Sequence, residues 1–180
     1  MRTLVLGGIR SGKSRWAELA IGQTVGPAQP VRFLATGQDP EADEAWAQRV
    51  AAHRERRPRH WTTVETCDVA TALRRSTAVP TLVDDLGGWL TAVLDRHRAW
   101  SGGNEVSVAM DVEELVAAVN AFGPQLVMVS PEVGLSVVPA NVAGLRFADE
   151  LGALNQRLAA VCERVVLVVA GQPMTLKEIG

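Results

Sequence analysis

Two kinds of hydrophobic pattern take turns along this chain. Short, nearly unbroken apolar runs stand at 3–8 (TLVLGG), 31–36 (VRFLAT), 81–86 (TLVDDL), 125–130 (QLVMVS) and 165–171 (VVLVVAG). Each has the length of a strand and is apolar on successive residues, the pattern of a strand covered on both faces. Between them lie longer stretches at 13–22, 41–56, 69–76, 89–99, 111–122 and 141–161. Their apolar residues recur every three or four positions, which predicts helices with one apolar face. WTTVET at 61–66 predicts an extra strand, GPAQP at 26–30 a turn, and SGGNEVS at 101–107 a polar, glycine-rich loop. Strands alternating with helices predict an α/β fold, a mostly parallel sheet covered by helices on both faces. No internal repeat or long linker interrupts the pattern, so residues 1–180 are expected to form a single domain.

Composition narrows the picture. With 180 residues, 47% of them hydrophobic and 21% charged, the chain is long enough and apolar enough to bury a core. No apolar run reaches the roughly 18 residues of a membrane span. The opening MRTLVLGG lacks the length and cleavage site of a signal peptide. Cys67 and Cys162 stand far apart, in no metal-ligand spacing, and read as free thiols of a reducing compartment. A cytoplasmic protein is the expectation.

The first stretch that carries chemistry is GGIRSGKS. It comprises Gly7, Gly8, Ile9, Arg10, Ser11, Gly12, Lys13 and Ser14, and it follows a predicted strand and opens a predicted helix. That is the phosphate loop G-x-x-x-x-G-K-S in its required context. The glycines let backbone N–H groups curl around phosphate oxygens, and the helix N-terminus adds partial positive charge. Lys13 supplies a mobile ammonium to the β- and γ-phosphates, and Ser14 can hold Mg²⁺. The chain has only two lysines, Lys13 and Lys177, against sixteen arginines. Lysine thus stands where a compact charge must enter the loop. The domain is therefore expected to be a three-layer sandwich like that of P-loop NTPases.

The second is TLVDDL. An apolar strand ending in an acid places a Mg²⁺-organising carboxylate at the strand's C-terminal edge. Asp84 is the first choice and Asp85 the second.

The third is AAHRERRPRHW, which begins at Ala51. Five of the seven residues from His53 to Arg59 are arginine or histidine, in a chain whose formal net charge is -2. Pro58 ends the preceding helix. On that helix Arg49, His53, Arg56 and Arg57 share a face. Neighbouring guanidiniums disfavour imidazolium, and a neutral imidazole is a nucleophile. The same arginines could neutralise a phosphate chain as charge builds on it. The plainer reading is a solvated helix end followed by a basic turn. Nucleic-acid binding is a third reading, opposed by a pI near 5.9 and by the absence of tyrosine.

Together these residues resemble the bifunctional adenosylcobinamide kinase/adenosylcobinamide-phosphate guanylyltransferase family of cobalamin biosynthesis. The resemblance runs nearly end to end, through GGIRSGKSRWAE, FLATGQ, RVAAHRERRPRHWTTVE, LVDDLGGWL, SPEVGLSVVP, RFADELGALNQRLA and VVAGQPMTLK. It implies two reactions. The first phosphorylates the aminopropanol hydroxyl of adenosylcobinamide with a nucleoside triphosphate, ATP or GTP. The second takes GMP from GTP onto a histidine, releasing pyrophosphate, and passes it to adenosylcobinamide phosphate. The resemblance assigns the nucleophile to His53 and nucleotide contacts to Arg54, Glu55, Arg56 and Arg57. It makes Ala35, Thr36 and Gly37 a nucleotide-lining turn, places Glu65 against the bound nucleotide, and sets Asp84 with Ser14 at the Mg²⁺. It also implies a homo-oligomer, a trimer, with sites near subunit boundaries. The sequence departs from the family pattern at Asp85, Gly87, Gly88, Ala92 and Pro131.

Two other classes stay open on the sequence alone: a simple small-molecule kinase with no covalent nucleotidyl intermediate, and a nucleotide-switch or nucleic-acid-linked binding module. His60 reads as a surface turn residue and His97 as a solvated one. Glu132 reads either as a neighbour of substrate or Mg²⁺ or as a turn cap. Asp149 reads either as such a neighbour or as the partner of Arg146.

Overall fold

The structure is a computed structural model that describes residues 1–26, 28–37, 57–75 and 78–179. Strand β1 (Arg2–Gly7) leads into helix α1 (Lys13–Val25), and β2 (Arg32–Ala35) and β3 (Thr62–Glu65) follow. Then come α2 (Val69–Arg75), β4 (Thr81–Asp84), α3 (Leu86–His97), α4 (Glu105–Ala121) and β5 (Leu126–Pro131). The chain continues through α5 (Val142–Val161), β6 (Arg164–Val169) and β7 (Gln172–Glu178). All seven strands form one sheet in the order β3-β2-β4-β5-β1-β6-β7. Every pairing is parallel except the last, between β6 and β7.

The predicted α/β architecture is present, and alternation along the strands explains it. Leu4, Leu34, Val83, Leu126 and Met128 point to one face, where α2, α3, α4 and α5 pack on them. Val5, Phe33, Leu82, Val127 and Val129 point to the other, against Ala17 and Ile21 of α1. A strand buried on both faces reads as a continuous apolar run, which is why five of the strands are legible by pattern. From β1 the chain crosses to β2 on one side, whereas from β5 it crosses over β1 to β6 on the other. The crevice at the C-terminal ends of β1 and β5 is therefore the topological switch point, where ligands bind in open α/β sheets.

Three elements differ most from expectation. Helix α3 begins at Leu86 rather than 89, because the Asp85 side chain caps it by accepting from Gly88 N at 2.8 Å. Gly87 and Gly88 concealed this start, since glycine lowers helix propensity. Helix α4 begins at Glu105, inside the expected loop, which is confined to the left-handed turn of Gly102, Gly103 and Asn104. Strand β7 was not expected. It is an edge strand exposed along nearly its whole length and carries Pro173, so it shows no hydrophobic alternation. The hairpin that makes it turns through Ala170 (φ 50°) and Gly171 (φ 78°), two successive positive φ angles, as a tight I′ hairpin turn requires. The predicted helix 41–56 lies outside the described residues.

Candidate active site

The phosphate loop begins where β1 runs out. Gly7 is buried, and a Cβ on it would stand 2.4 Å from Ser11 Oγ and 2.7 Å from the Val168 carbonyl oxygen. Only glycine fits. Gly12 takes a left-handed φ of 93° just before α1 and lies beside Gly171, whose Cα would be 3.2 Å from a Cβ there. Gly171 N donates to Ser11 O at 2.7 Å, so the β6–β7 turn braces the loop from behind. Lys13 Nζ donates to Gly8 O at 3.2 Å, spanning the hollow that the loop encloses.

Ser14, on the first turn of α1, donates from Oγ to Asp84 Oδ1 at 3.2 Å. Asp84 ends β4, two strands from β1, and β5 lies between them. Burial pushes its carboxyl up to about 7, with Asp85 and then Glu18 adding to the effect. The Ser14 hydrogen bond and the Lys13 ammonium work against them. A carboxylate this costly to keep ionised is one that a cation would stabilise. Ser14 and Asp84 are hard oxygen donors beside a phosphate-binding loop, the donor set through which Mg²⁺ binds with nucleotide phosphates. Among the described residues no group of three or more His, Cys, Asp or Glu side chains forms a separate metal cage.

The turn Ala35, Thr36, Gly37 stands next along the same sheet edge. In register, Ala35 lies between Glu65 of β3 and Asp84 of β4. Thr36 is buried; its N donates to Asp84 O at 3.2 Å and its hydroxyl donates to Asp85 O. The turn is thus clasped to the acidic strand end. A Cβ on Gly88 would meet Thr36 O at 3.1 Å, and one on Gly87 would meet Pro131 Cγ at 2.7 Å. The two glycines let α3 start tight against both the turn and β5. This gives three of the departures from the family pattern, Gly87, Gly88 and Pro131, a shared packing reason, with Asp85 capping the same helix. Glu65 is exposed at the tip of β3.

Of the basic stretch, His53, Arg54, Glu55 and Arg56 lie outside the described residues. Arg57 is described and well packed. Its guanidinium carbon lies 3.3 Å from the centroid of the Phe33 ring, its Nε is 3.9 Å from Glu18 Oε1, and its Nη1 donates to Thr63 Oγ1 at 3.2 Å. Glu18 sits one turn beyond Ser14 on α1, so the residue four positions after His53 is attached to the helix that carries the phosphate loop. Sequence reasoning missed Glu18 and the Gly171 brace. A glutamate on an amphipathic helix carries no signal of a partner 39 positions away, whereas the hairpin glycine could have been found from AG closing an apolar run.

The remaining histidines differ. His60 is exposed, as expected. His97 is not simply solvated: its Nε2 lies 2.7 Å from Asp111 Oδ2, which Arg96 also contacts at 2.9 Å. Arg146 pairs with Glu150 at 2.9 Å, one turn along α5, and with Glu105 at 3.1 Å, rather than with Asp149. Glu132 does cap its turn, accepting from Gly134 N at 2.8 Å.

Comparisons with known proteins agree over nearly the whole chain. Residues 3–176 match the family described as cobinamide kinase / cobinamide phosphate guanyltransferase. The bifunctional adenosylcobalamin biosynthesis protein CobP of Pseudomonas aeruginosa is 40% identical over 182 residues, covering 98% of each chain. The CobU proteins of Salmonella typhimurium and Escherichia coli, which carry the same bifunctional description, are 35% and 34% identical, covering 98% of this chain and 100% of each of theirs. Among solved structures, a KaiC-like protein of Pyrococcus horikoshii shares the fold, with a TM-score of 0.53 at 12% identity, over 92% of this chain and 69% of its own.

Proposed function

The chain belongs to the cobinamide kinase / cobinamide phosphate guanyltransferase family, and we propose that its single phosphate loop serves both halves of that chemistry in one domain. It is a bifunctional enzyme of cobalamin biosynthesis. The observation that carries the reading is the intact loop, Gly7 to Ser14, with Lys13 folded across it and Ser14 set against Asp84, in a chain that matches this family from end to end.

In the kinase half, loop N–H groups and Lys13 hold the β- and γ-phosphates of GTP or ATP while the hydroxyl of adenosylcobinamide attacks the γ-phosphorus. Ser14 and Asp84 would hold Mg²⁺, which neutralises phosphate charge when bound. In the guanylyl half, the His53 imidazole attacks the α-phosphorus of GTP and pyrophosphate leaves. Adenosylcobinamide phosphate then takes the GMP, giving adenosylcobinamide-GDP. Arg54 and Arg56 would meet the phosphates, with Glu55 and the 35–37 turn beside them. Glu65 would accept from the guanine N1–H and amino edge, a pairing that adenine cannot make. Arg57, four residues after His53 in sequence, supports this reading because it is held on Phe33 and on Glu18 of α1, the helix that follows the phosphate loop. A cytoplasmic homo-oligomer, a trimer, completes the proposal; the exposed apolar Met174 and Leu176 on the edge strand β7 favour self-association.

The test uses Mg²⁺ and GTP labelled at the α- or γ-phosphate, followed by denaturation. An acid-labile, alkali-stable label from α-GTP, lost in His53→Ala, is the expected result. No retained α-label, or equal retention in His53→Ala, would leave only a simple kinase.

A further inference from the structure

Two cavities adjoin on the β6 side of the phosphate loop, and one carboxylate lines both. The first, about 390 Å³, has Gly8, Ile9, Arg10 and Ser11 as one wall and Glu132, Leu135 and Ser136 as the other, over the end of β6. The second, about 480 Å³, runs from Glu132 along α5 past Gly152, Asn155 and Gln156 to Lys177 of β7. We propose that this double cavity is the acceptor site, which takes the amide-fringed corrin ring of cobinamide and presents its hydroxyl arm to the γ-phosphate with Glu132 as proton acceptor. The inference rests on the kinase reading above and names the side from which its acceptor enters.

Position supports the role of Glu132. Its backbone N donates to Gly7 O at 3.0 Å, so the residue is attached to the root of the loop. Asn155 fixes it from below, donating to Pro131 O at 3.0 Å and accepting from Ser130 Oγ at 2.6 Å. Among the described residues, Arg10 and Glu132 are the only ionisable side chains lining the first cavity. One suits a phosphate and the other a hydroxyl proton. Both Glu132 carboxylate oxygens face Gly134 N, at 2.8 and 3.2 Å, and this single N–H donor leaves lone pairs of the carboxylate to accept from a ligand.

The surroundings suit the bulk of the molecule. Ile9 is 93% exposed and Leu135 83%, although both line the first cavity. Apolar side chains held out into solvent around a polar cleft mark a ligand or partner site. A corrin ring offers methylated apolar faces to such a rim. Its peripheral amides match the Gln156 amide and the Lys177 side of the second cavity. A free nucleotide or a small sugar would leave the apolar rim uncovered.

The step balances. The acceptor hydroxyl oxygen forms a bond to the γ-phosphorus, and the bond from that phosphorus to the β–γ bridging oxygen breaks. The electron pair leaves with the nucleoside diphosphate, and the hydroxyl proton passes to the Glu132 carboxylate and then to water.

The experiment compares the full chain with Glu132→Gln and Leu135→Asp, using cobinamide binding followed by the corrin absorbance, GTP binding, γ-phosphoryl transfer and sedimentation. Glu132→Gln should lower kcat by about 100-fold or more while both dissociation constants stay within about threefold. Leu135→Asp, a change on the open surface, should raise the cobinamide dissociation constant by about tenfold and leave that for GTP alone. Wild-type transfer with both variants unimpaired would overturn this assignment and leave the kinase reading standing. Absence of transfer in the wild type would overturn both. A change in sedimentation on Leu135→Asp, with cobinamide affinity unchanged, would assign the rim to a second copy of the chain and also overturn the proposal.

Discussion

The two ends of β1 hold carboxylates under opposite conditions. At the C-terminal end, burial pushes Asp84 up to about 7, Asp85 adds to the effect, and Ser14 donates a hydrogen bond to its carboxyl. At the N-terminal end, the Arg2 guanidinium brings Glu163 down to about 2. Arg2 Nε donates to Glu163 Oε1 at 3.0 Å, and its Nη1 reaches Asn120 O at 2.6 Å, so β1, β6 and the end of α4 are stapled together. One end carries a permanent cation of its own. The other keeps an acid, a lysine and glycines around a hollow. The difference separates stability from function across the sheet, because an ion pair satisfied within the fold adds stability, whereas an acid buried at a cost to its ionised form does not.

Substitutions at both ends test that separation. Lys13→Ala should have the largest effect, lowering γ-phosphoryl transfer and GMP transfer by about 1,000-fold, without a change in thermal midpoint, as read by labelled-GTP assays beside a melting curve. Asp84→Asn should cost about 100-fold in the same assays, with a Tm no lower than that of the parent, since the carboxylate it removes is buried at a cost. A clear fall in Tm would show that Asp84 serves the fold. Gly7→Ala should damage both properties. Its new Cβ meets Ser11 Oγ and the Val168 carbonyl, so GTP affinity falls and stability drops by about 1–3 kcal/mol, measured by titration calorimetry and urea unfolding. Glu163→Gln should have the smallest effect, roughly 0.5–1 kcal/mol at pH 7 with unchanged turnover, because solvent screens a partly exposed pair. The native acid is depressed from 4.5 to about 2, so its contribution is whole above the unfolded value and fades as pH falls towards 2. The two chains should therefore differ in urea midpoint at pH 7 and converge near pH 2.

The parts of this molecule that could be read from sequence are those whose physics is local. GGIRSGKS declares itself because phosphate binding needs glycines, a lysine and a helix start within eight consecutive residues. Asp84 follows from the end of an apolar strand. The five central strands follow from burial on both faces. What stayed hidden depends on neighbours distant in the chain. Arg57 reads as one more charge until Phe33 and Glu18 are seen beneath it. His97 reads as solvated until Asp111 comes round on α4. Strand β7 has no pattern because its side chains meet water along nearly their whole length, and what marks it is the backbone of Ala170 and Gly171. Glu132 read equally well as a turn cap or as a neighbour of substrate; it caps its turn and also borders the phosphate loop.

The brace from Gly171 to Ser11 has a further consequence for the order in which the chain emerges from the ribosome. The phosphate loop spans Gly7 to Ser14, yet its back wall is supplied by the turn at Ala170 and Gly171, far along the chain. During synthesis the loop therefore emerges before the turn that braces it. The back wall of the loop is thus in place only after the β6–β7 hairpin has been made.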